Sequence, residues 1–350
     1  MPRVGASHTH SFRRGGAFAL TAAVLFGVTT PLIERYGRGA GAIPTAACLY
    51  AGAALAATRV RRDEREAPVR IDRLPRLLCI GAFGALLAPA CLAFGVQRIG
   101  AAEASLLLNF EAVFTVALGR LLFREPIGLR AGAALAFMTL GAACVAGSAG
   151  AAGLGWGAAA VLAATLAWSV DNALTRPLAD LDPTDVVRWK GWIGSAAGFA
   201  LSFALGQTLP DWRDAIALIL VGATGYGLSL RLYLRAQRAI GAGRTASVFA
   251  IAPFLGATVA ASMGGEALGT AVAAAATLFA IGVFLHLTEG HEHFHVHDAT
   301  EHEHAHRHDD GHHDHVHHPA IAGEHSHPHR HEAKTHDHPH APDVHHQHRH

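Results

Sequence analysis

The sequence predicts an all-α polytopic membrane protein: ten transmembrane helices arranged as two inverted five-helix repeats, followed by a disordered His-rich C-terminal tail. Three observations predict it. Apolar blocks of roughly 17–22 residues recur before the tail, each close to the ~20 residues that cross about 30 Å of hydrocarbon. The stretch from Ile99 matches the stretch from Ile240 without a gap. Arginine and lysine gather in alternate turns, as they do where a chain weaves through a bilayer. Composition agrees: 51% of the 350 residues are hydrophobic and 16% charged, and the polar last sixty-odd residues hold the mean hydropathy down to +0.26.

In order, the chain reads as a cytoplasmic N-terminus (1–15), a first five-helix repeat (16–147), a second (148–287) and the tail (288–350). Helices are expected at 16–33, 41–58, 74–96, 101–121, 128–147, 154–175, 186–207, 214–234, 241–262 and 269–287. The opening "SFRRGGAFAL" resembles a twin-arginine export signal. The apolar block behind it runs into "TTPLIERYG" without a small-residue cleavage site, so it reads as a basic anchor before the first helix. Alanine and glycine are abundant, which lets helices approach closely where apolar burial supplies no drive. Cys48, Cys79, Cys91 and Cys144 sit singly in apolar blocks, far apart, and read as small packing residues rather than a disulfide or thiolate metal framework.

Orientation follows from the cations. With a cytoplasmic N-terminus, twenty Arg and Lys fall on cytoplasmic turns, against four outside: Arg35, Arg38, Arg98 and Arg213. Both termini are then cytoplasmic. "IGAAEASLLLNFEAVFTVALGRLLFREPIG" from Ile99 and "IGAGRTASVFAIAPFLGATVAASMGGEALG" from Ile240 pair at an offset of 141 residues, and the same offset lays "LFGVTTPL" on "LAWSVDNA". Five helices is an odd number, so the second copy is inverted. Inverted repeats are a transporter architecture, with the substrate site near the midplane between the halves.

Two five-helix repeats, each with a fourth helix ending on an acidic residue ("FREPIG" and "GGEALG"), resemble the EamA-type drug/metabolite transporter superfamily over roughly residues 16–287. "VDNALTR" and the Glu-bearing helix 4 are further similar to a bacterial subgroup with His-rich tails. The resemblance implies a carrier of small organic molecules, often an exporter, in the bacterial cytoplasmic (inner) membrane. It does not fix the cargo. One departure matters: where many members have Pro in the middle of helix 4, this chain has Glu111-Ala112, while helix 9 keeps Pro253.

The intramembrane polar residues are the site candidates, because an ionisable group in hydrocarbon is costly without a role. Glu111, with Asn109 two residues before it, stands near the bilayer midplane: either a cargo-binding or proton-coupling carboxylate, or a hydrogen-bonded bridge between helices. In "WSVDNALTR", Trp168, Asp171 and Thr175 share a helical face, with Asn172 beside them. Lys190 in "VVRWKGW" is close enough to neutralise Asp171 across the hairpin, as a gate or substrate clamp or as a plain interface ion pair with Lys190 snorkelling. Glu125 and Glu266 read as caps at helix ends. Tyr226, Tyr233 and Gln237 carry no specific signal.

The tail holds 24 of the 27 histidines in 63 residues. Apolar residues are too few for a core, so disorder is expected. Its imidazoles, among them His291, His293, His295, His297, His302, His304, His306, His308, His312, His313, His315, His317 and His318, suit loose binding of Zn, Ni, Co or Cu. Three readings remain open: a metabolite carrier with a metal-buffering appendage, a divalent metal exporter, and a membrane-anchored metal-sensing or storage protein. The expected partners are the lipid bilayer, a small-molecule substrate, divalent ions and a second copy in a homodimer, with nothing directed at nucleic acid. No cofactor is required, and no nucleotide loop, nucleophile elbow or catalytic carboxylate pair appears, so enzymatic activity is not expected.

Overall fold

A computed structural model describes residues 5–60, 69, 73–123, 129–148, 155–175, 178, 181–240, 242–264, 269–287, 294–297, 300–306, 325–331 and 334–337. Ten helical rods follow one another among them. We number them α1 (Gly5–Gly27 continuing as Thr29–Tyr36), α2 (Ala42–Arg59), α3 (Leu74–Ile80, Gly81–Leu87 and Ala88–Ile99), α4 (Ala101–Leu107 and Phe110–Phe123), α5 (Leu129–Ser148), α6 (Gly155–Thr175), α7 (Pro183–Ala204), α8 (Trp212–Gly222, Ala223–Leu228 and Ser229–Ile240), α9 (Ala242–Phe249 and Ala252–Gly264) and α10 (Thr270–Leu287). The stretches Arg14–Tyr36, Leu74–Ile99, Gly155–Thr175, Trp212–Gln237 and Arg244–Gly264 are each long and apolar enough to cross a membrane.

Local chemistry sets several boundaries. Asp182 accepts from the Thr184 amide at 2.8 Å, and Pro183 opens α7. Asp211 accepts from the amides of Arg213 and Asp214 at 2.8 and 3.0 Å to start α8. Both satisfy first-turn N–H groups that have no helical partner. Gly100, at φ +84°, makes the turn between α3 and α4, a backbone state that disfavours any side chain.

The two halves repeat each other down to their irregularities. α3 widens into a π-helical turn at Gly81–Leu87, and α8 does so at Ala223–Leu228. α4 breaks at Leu108–Asn109, and α9 breaks at Ala250–Ile251. An offset of about 141 residues carries each irregularity of the first half onto that of the second, the offset of the sequence repeat. The causes differ. In α4 the Asn109 amide donates to the Leu106 carbonyl at 2.9 Å, competing with the helical ladder. In α9, Pro253 removes one N–H and crowds the turn before it.

Packing obeys the same inverted symmetry. In the α5–α10 seam Gly141 lies against Phe279, while Gly282, its repeat partner, lies against Met138, the partner of Phe279. Where α2 crosses α8, a Cβ on Gly52 would collide with the Ile219 carbonyl, and one on Gly222 would collide with the Leu49 backbone. Gly222→Ala is therefore expected to force these helices apart and cost about 1–3 kcal/mol. A fall in detergent melting temperature of the purified protein checks it, with Gly132→Ala, where nothing lies within 4 Å, as the unaffected control.

Apolar side chains such as Leu20, Leu166, Leu220 and Phe284 are exposed on the outside of the bundle, where lipid covers them. Trp156 and Trp212, at the first turns of α6 and α8, are exposed as well, the setting of interfacial tryptophans. All four cysteines are free. Cys48 is buried and Cys91 and Cys144 half-buried, while Cys79 is exposed rather than packed inside.

Four short strands are described within the tail. Strand β1 (Phe294–His297) pairs antiparallel with β4 (Lys334–Asp337), and β2 (Thr300–His306) pairs with β3 (His325–His331). Alternating histidine gives a period-two pattern that suits extended backbone. The register sets His302, His304 and His306 opposite His329, His327 and His325. His291, His293, His308, His312, His313, His315, His317 and His318 lie outside the described residues, as do Glu125 and Glu266.

Candidate functional site

The break in α4 places Glu111, half-buried, in the first turn of a new helical segment, Phe110–Phe123. That segment's positive dipole end favours a carboxylate there. Asn172 of α6 donates from Nδ2 to Glu111 Oε1 at 2.6 Å, so a residue of the second half holds the carboxylate of the first. The Ser169 hydroxyl donates to the Glu111 backbone carbonyl at 3.0 Å, and Thr115 donates to Ser169 at 3.3 Å. Together they tie α4 to α6 along one seam.

One residue before Asn172, Asp171 forms an ion pair with Lys190 of α7. The two side chains are 4% and 7% exposed, which excludes the snorkelling alternative for Lys190. Thr175 donates more weakly to the other oxygen of Asp171, at 3.5 Å. The site therefore holds two carboxylates and one ammonium.

The π-helical turn of α3 passes directly beside this pair. A Cβ on Gly84 would collide with the Asp171 carboxylate, so only glycine fits. The Gly84 carbonyl accepts from Tyr50 OH at 2.6 Å and from Trp168 Nε1 at 3.2 Å. A π-turn frees carbonyls in this way, and such turns gather at functional sites. Rings continue from there. Tyr50 and Tyr226 have centroids 5.2 Å apart, Phe26 stands edge-on to Tyr226 at 5.8 Å and to Trp168 at 6.0 Å, and Phe249 links Phe26 to Tyr233 at 5.5 and 4.9 Å. The Tyr226 hydroxyl is buried without a hydrogen-bond partner of ordinary geometry, with Thr29 as its polar neighbour.

Of the residues singled out in the sequence, Glu111, Asn172, Asp171, Lys190 and Trp168 converge. Asn109 does not join them through its amide, which is committed to the Leu106 carbonyl; its contribution is the helix break. Sequence reasoning missed Phe26, Tyr50, Gly84 and Phe249 and passed over Tyr226 and Tyr233. The available signal was the repeat itself, which aligns Gly84 with Gly225, at which a Cβ would likewise collide, there with Thr29.

Fold and site together define a polytopic helical membrane protein in which two inverted five-helix halves meet at a polar and aromatic cluster. The chain belongs to the EamA-like transporter family, whose signature matches residues 13–147 and again 155–288. An uncharacterized transporter of Methanothermobacter thermautotrophicus is 28% identical over 210 residues, covering 57% of this chain. The match spans 60% of that curated relative's length. A solved crystal structure shares the fold at a TM-score of 0.55 and 19% identity, over 78% of this chain and 98% of its own.

Proposed function

We propose that this chain is a secondary carrier that moves a small solute across the bacterial inner membrane, in the direction of export, by alternating access of its two halves. Both termini are cytoplasmic in this reading, as the Arg and Lys distribution supports. The single observation that carries it is the placement of Glu111: a half-buried ionisable group at a mid-helix break, bonded across the halves by Asn172 and flanked by the buried Asp171–Lys190 pair. Discontinuous helices with charged groups at their inner ends are how inverted-repeat carriers hold cargo and coupling ions. Glu111 serves as the coupling carboxylate, exchanging a proton for cargo. Trp168, Tyr50 and Tyr226 supply an aromatic wall, and Asp171 with Lys190 fixes the α6–α7 hairpin beside it.

The tail binds Zn, Ni, Co or Cu loosely through imidazoles and buffers metal near the carrier. Metal as cargo has less support, because no group of three or more metal-ligating side chains occurs among the described residues. Purified protein in proteoliposomes, loaded with pooled radiolabelled metabolites and given an imposed pH gradient, is expected to release at least one solute and to admit protons in return. Vesicles that move neither solute nor protons would leave the membrane domain as a tether for the tail and end this reading.

A further inference from the structure

The two broken helices meet at one end of the molecule and part at the other. Ala101–Leu107 of α4 packs against Ala252–Gly264 of α9. Beyond the breaks, Phe110–Phe123 packs on α6 and α5, whereas Ala242–Phe249 packs on α1 and α8. The end that closes also carries a set of cross-links between turns. Gln97, near the end of α3, donates from Nε2 to the Gly37 carbonyl at 2.8 Å and to Ala40 at 3.4 Å. Glu34 of α1 accepts from the Ala101 amide, the first of α4, at 3.0 Å. Gln207, in the loop between α7 and α8, accepts from the Ile43 amide at 3.2 Å, and Gly41 donates to the Thr208 carbonyl at 2.8 Å. The α1–α2 turn is thus bonded both to the α3–α4 turn of its own half and to the α7–α8 loop of the other. Gln237, which follows the same Gln-Arg pattern in the second half, is engaged by Tyr233 of its own helix.

We propose that Gln97, Glu34 and Gln207 form a latch that holds this end shut, and that its release admits water along the α4–α9 seam and turns the carrier to its opposite state. The inference rests on the alternating-access reading above. Three polar side chains each bridge separate turns, so the bonds persist only while α1, α3–α4 and α7–α8 keep their present spacing. Separating the outer segments of α4 and α9 changes that spacing, so breaking the cross-links and opening the seam are one event.

Ser105 supplies the reporter. It is fully buried in the outer segment of α4, and its hydroxyl lies against Gly256 of α9. Ser105→Cys is introduced after the four native cysteines are replaced by alanine, and the protein is held in nanodiscs so that a membrane-impermeant maleimide reaches both faces. Gln97→Ala and Glu34→Ala are expected to raise the labelling rate of this cysteine about fivefold, the scale expected when one ordinary hydrogen bond stops biasing a two-state equilibrium. Gln207→Ala is the second line where either variant fails to fold, judged by its elution and melting profiles. Labelling that stays at the parental rate in the folded variants overturns the latch. Accelerated labelling in a protein that moves no solute leaves the latch standing and refutes the carrier.

Discussion

Lys190→Met is expected to lower the stability of the folded chain by about 3–5 kcal/mol, the cost of leaving a buried charge without its partner. The geometry leaves Asp171 no substitute. Its side chain is 4% exposed, the Thr175 hydroxyl reaches it only at 3.5 Å, and the donors Tyr50 OH and Trp168 Nε1 are already given to the Gly84 carbonyl. Methionine keeps the length and apolar stem of lysine, so the loss measures charge rather than packing. The paired change Asp171→Leu with Lys190→Met removes both charges and is expected to recover most of the loss, since an apolar pair of similar volume is often no worse than a buried ion pair. Thermal unfolding of the three proteins in one detergent reads the result. A single variant as stable as the double would mean that Asp171 has water or another cation beside it, and the buried pair would lose its structural role.

The scaffold was largely legible because its signals are collective. Each apolar block is long, the 141-residue offset runs gap-free for thirty residues, and the cations alternate. None of these depends on one side chain. The interruption of α9 was legible from Pro253, whereas the interruptions that no proline marks were not. The Leu108–Asn109 break needs the Asn109 amide to turn back on Leu106, a local competition that an apolar run does not announce. The π-turns at Gly81–Leu87 and Ala223–Leu228 read in sequence as ordinary glycine-rich helix.

The site was half legible for a related reason: symmetry shapes the frame and not the chemistry. At the repeat offset Glu111 falls on Ala252, Asp171 on Thr30, Lys190 on Leu49, Trp168 on Gly27 and Tyr226 on Ala85. Each polar or aromatic member of the cluster faces a small or apolar residue in the other half. Charged residues stand out in hydrocarbon and were found from sequence. Aromatic residues do not stand out there, so Tyr50, Phe26 and Phe249 acquired meaning only when the fold brought them to Trp168 and Tyr226. In the proposed alternating-access cycle, a symmetric frame with an asymmetric site would present unlike surroundings to the cargo in its two half-cycles.

Glu111→Gln is expected to abolish uphill transport while leaving downhill movement of the same solute. Glutamine preserves size, and its amide oxygen can still accept from Asn172, whose Nδ2 lies 2.6 Å from the present carboxylate oxygen. The loss in stability should stay near the ~0.3–1 kcal/mol of a charge at a helix N-terminus. What disappears, in the proposed mechanism, is the exchangeable proton. If one proton is exchanged per solute, each unit of imposed pH difference supplies about 1.4 kcal/mol and sustains roughly a tenfold solute gradient. The parent protein should therefore build gradients near tenfold and a hundredfold at one and two pH units, and Glu111→Gln should build none at either. Exchange of labelled for unlabelled solute at equal concentrations needs no coupling and should continue in the variant, because Trp168, Asp171 and Lys190 are untouched. Proteoliposome measurements of both quantities separate the possibilities. Intact accumulation in Glu111→Gln would assign the carboxylate to bridging α4 and α6, and the coupling group would have to be sought elsewhere. Loss of exchange together with accumulation would instead make Glu111 a direct ligand of the cargo.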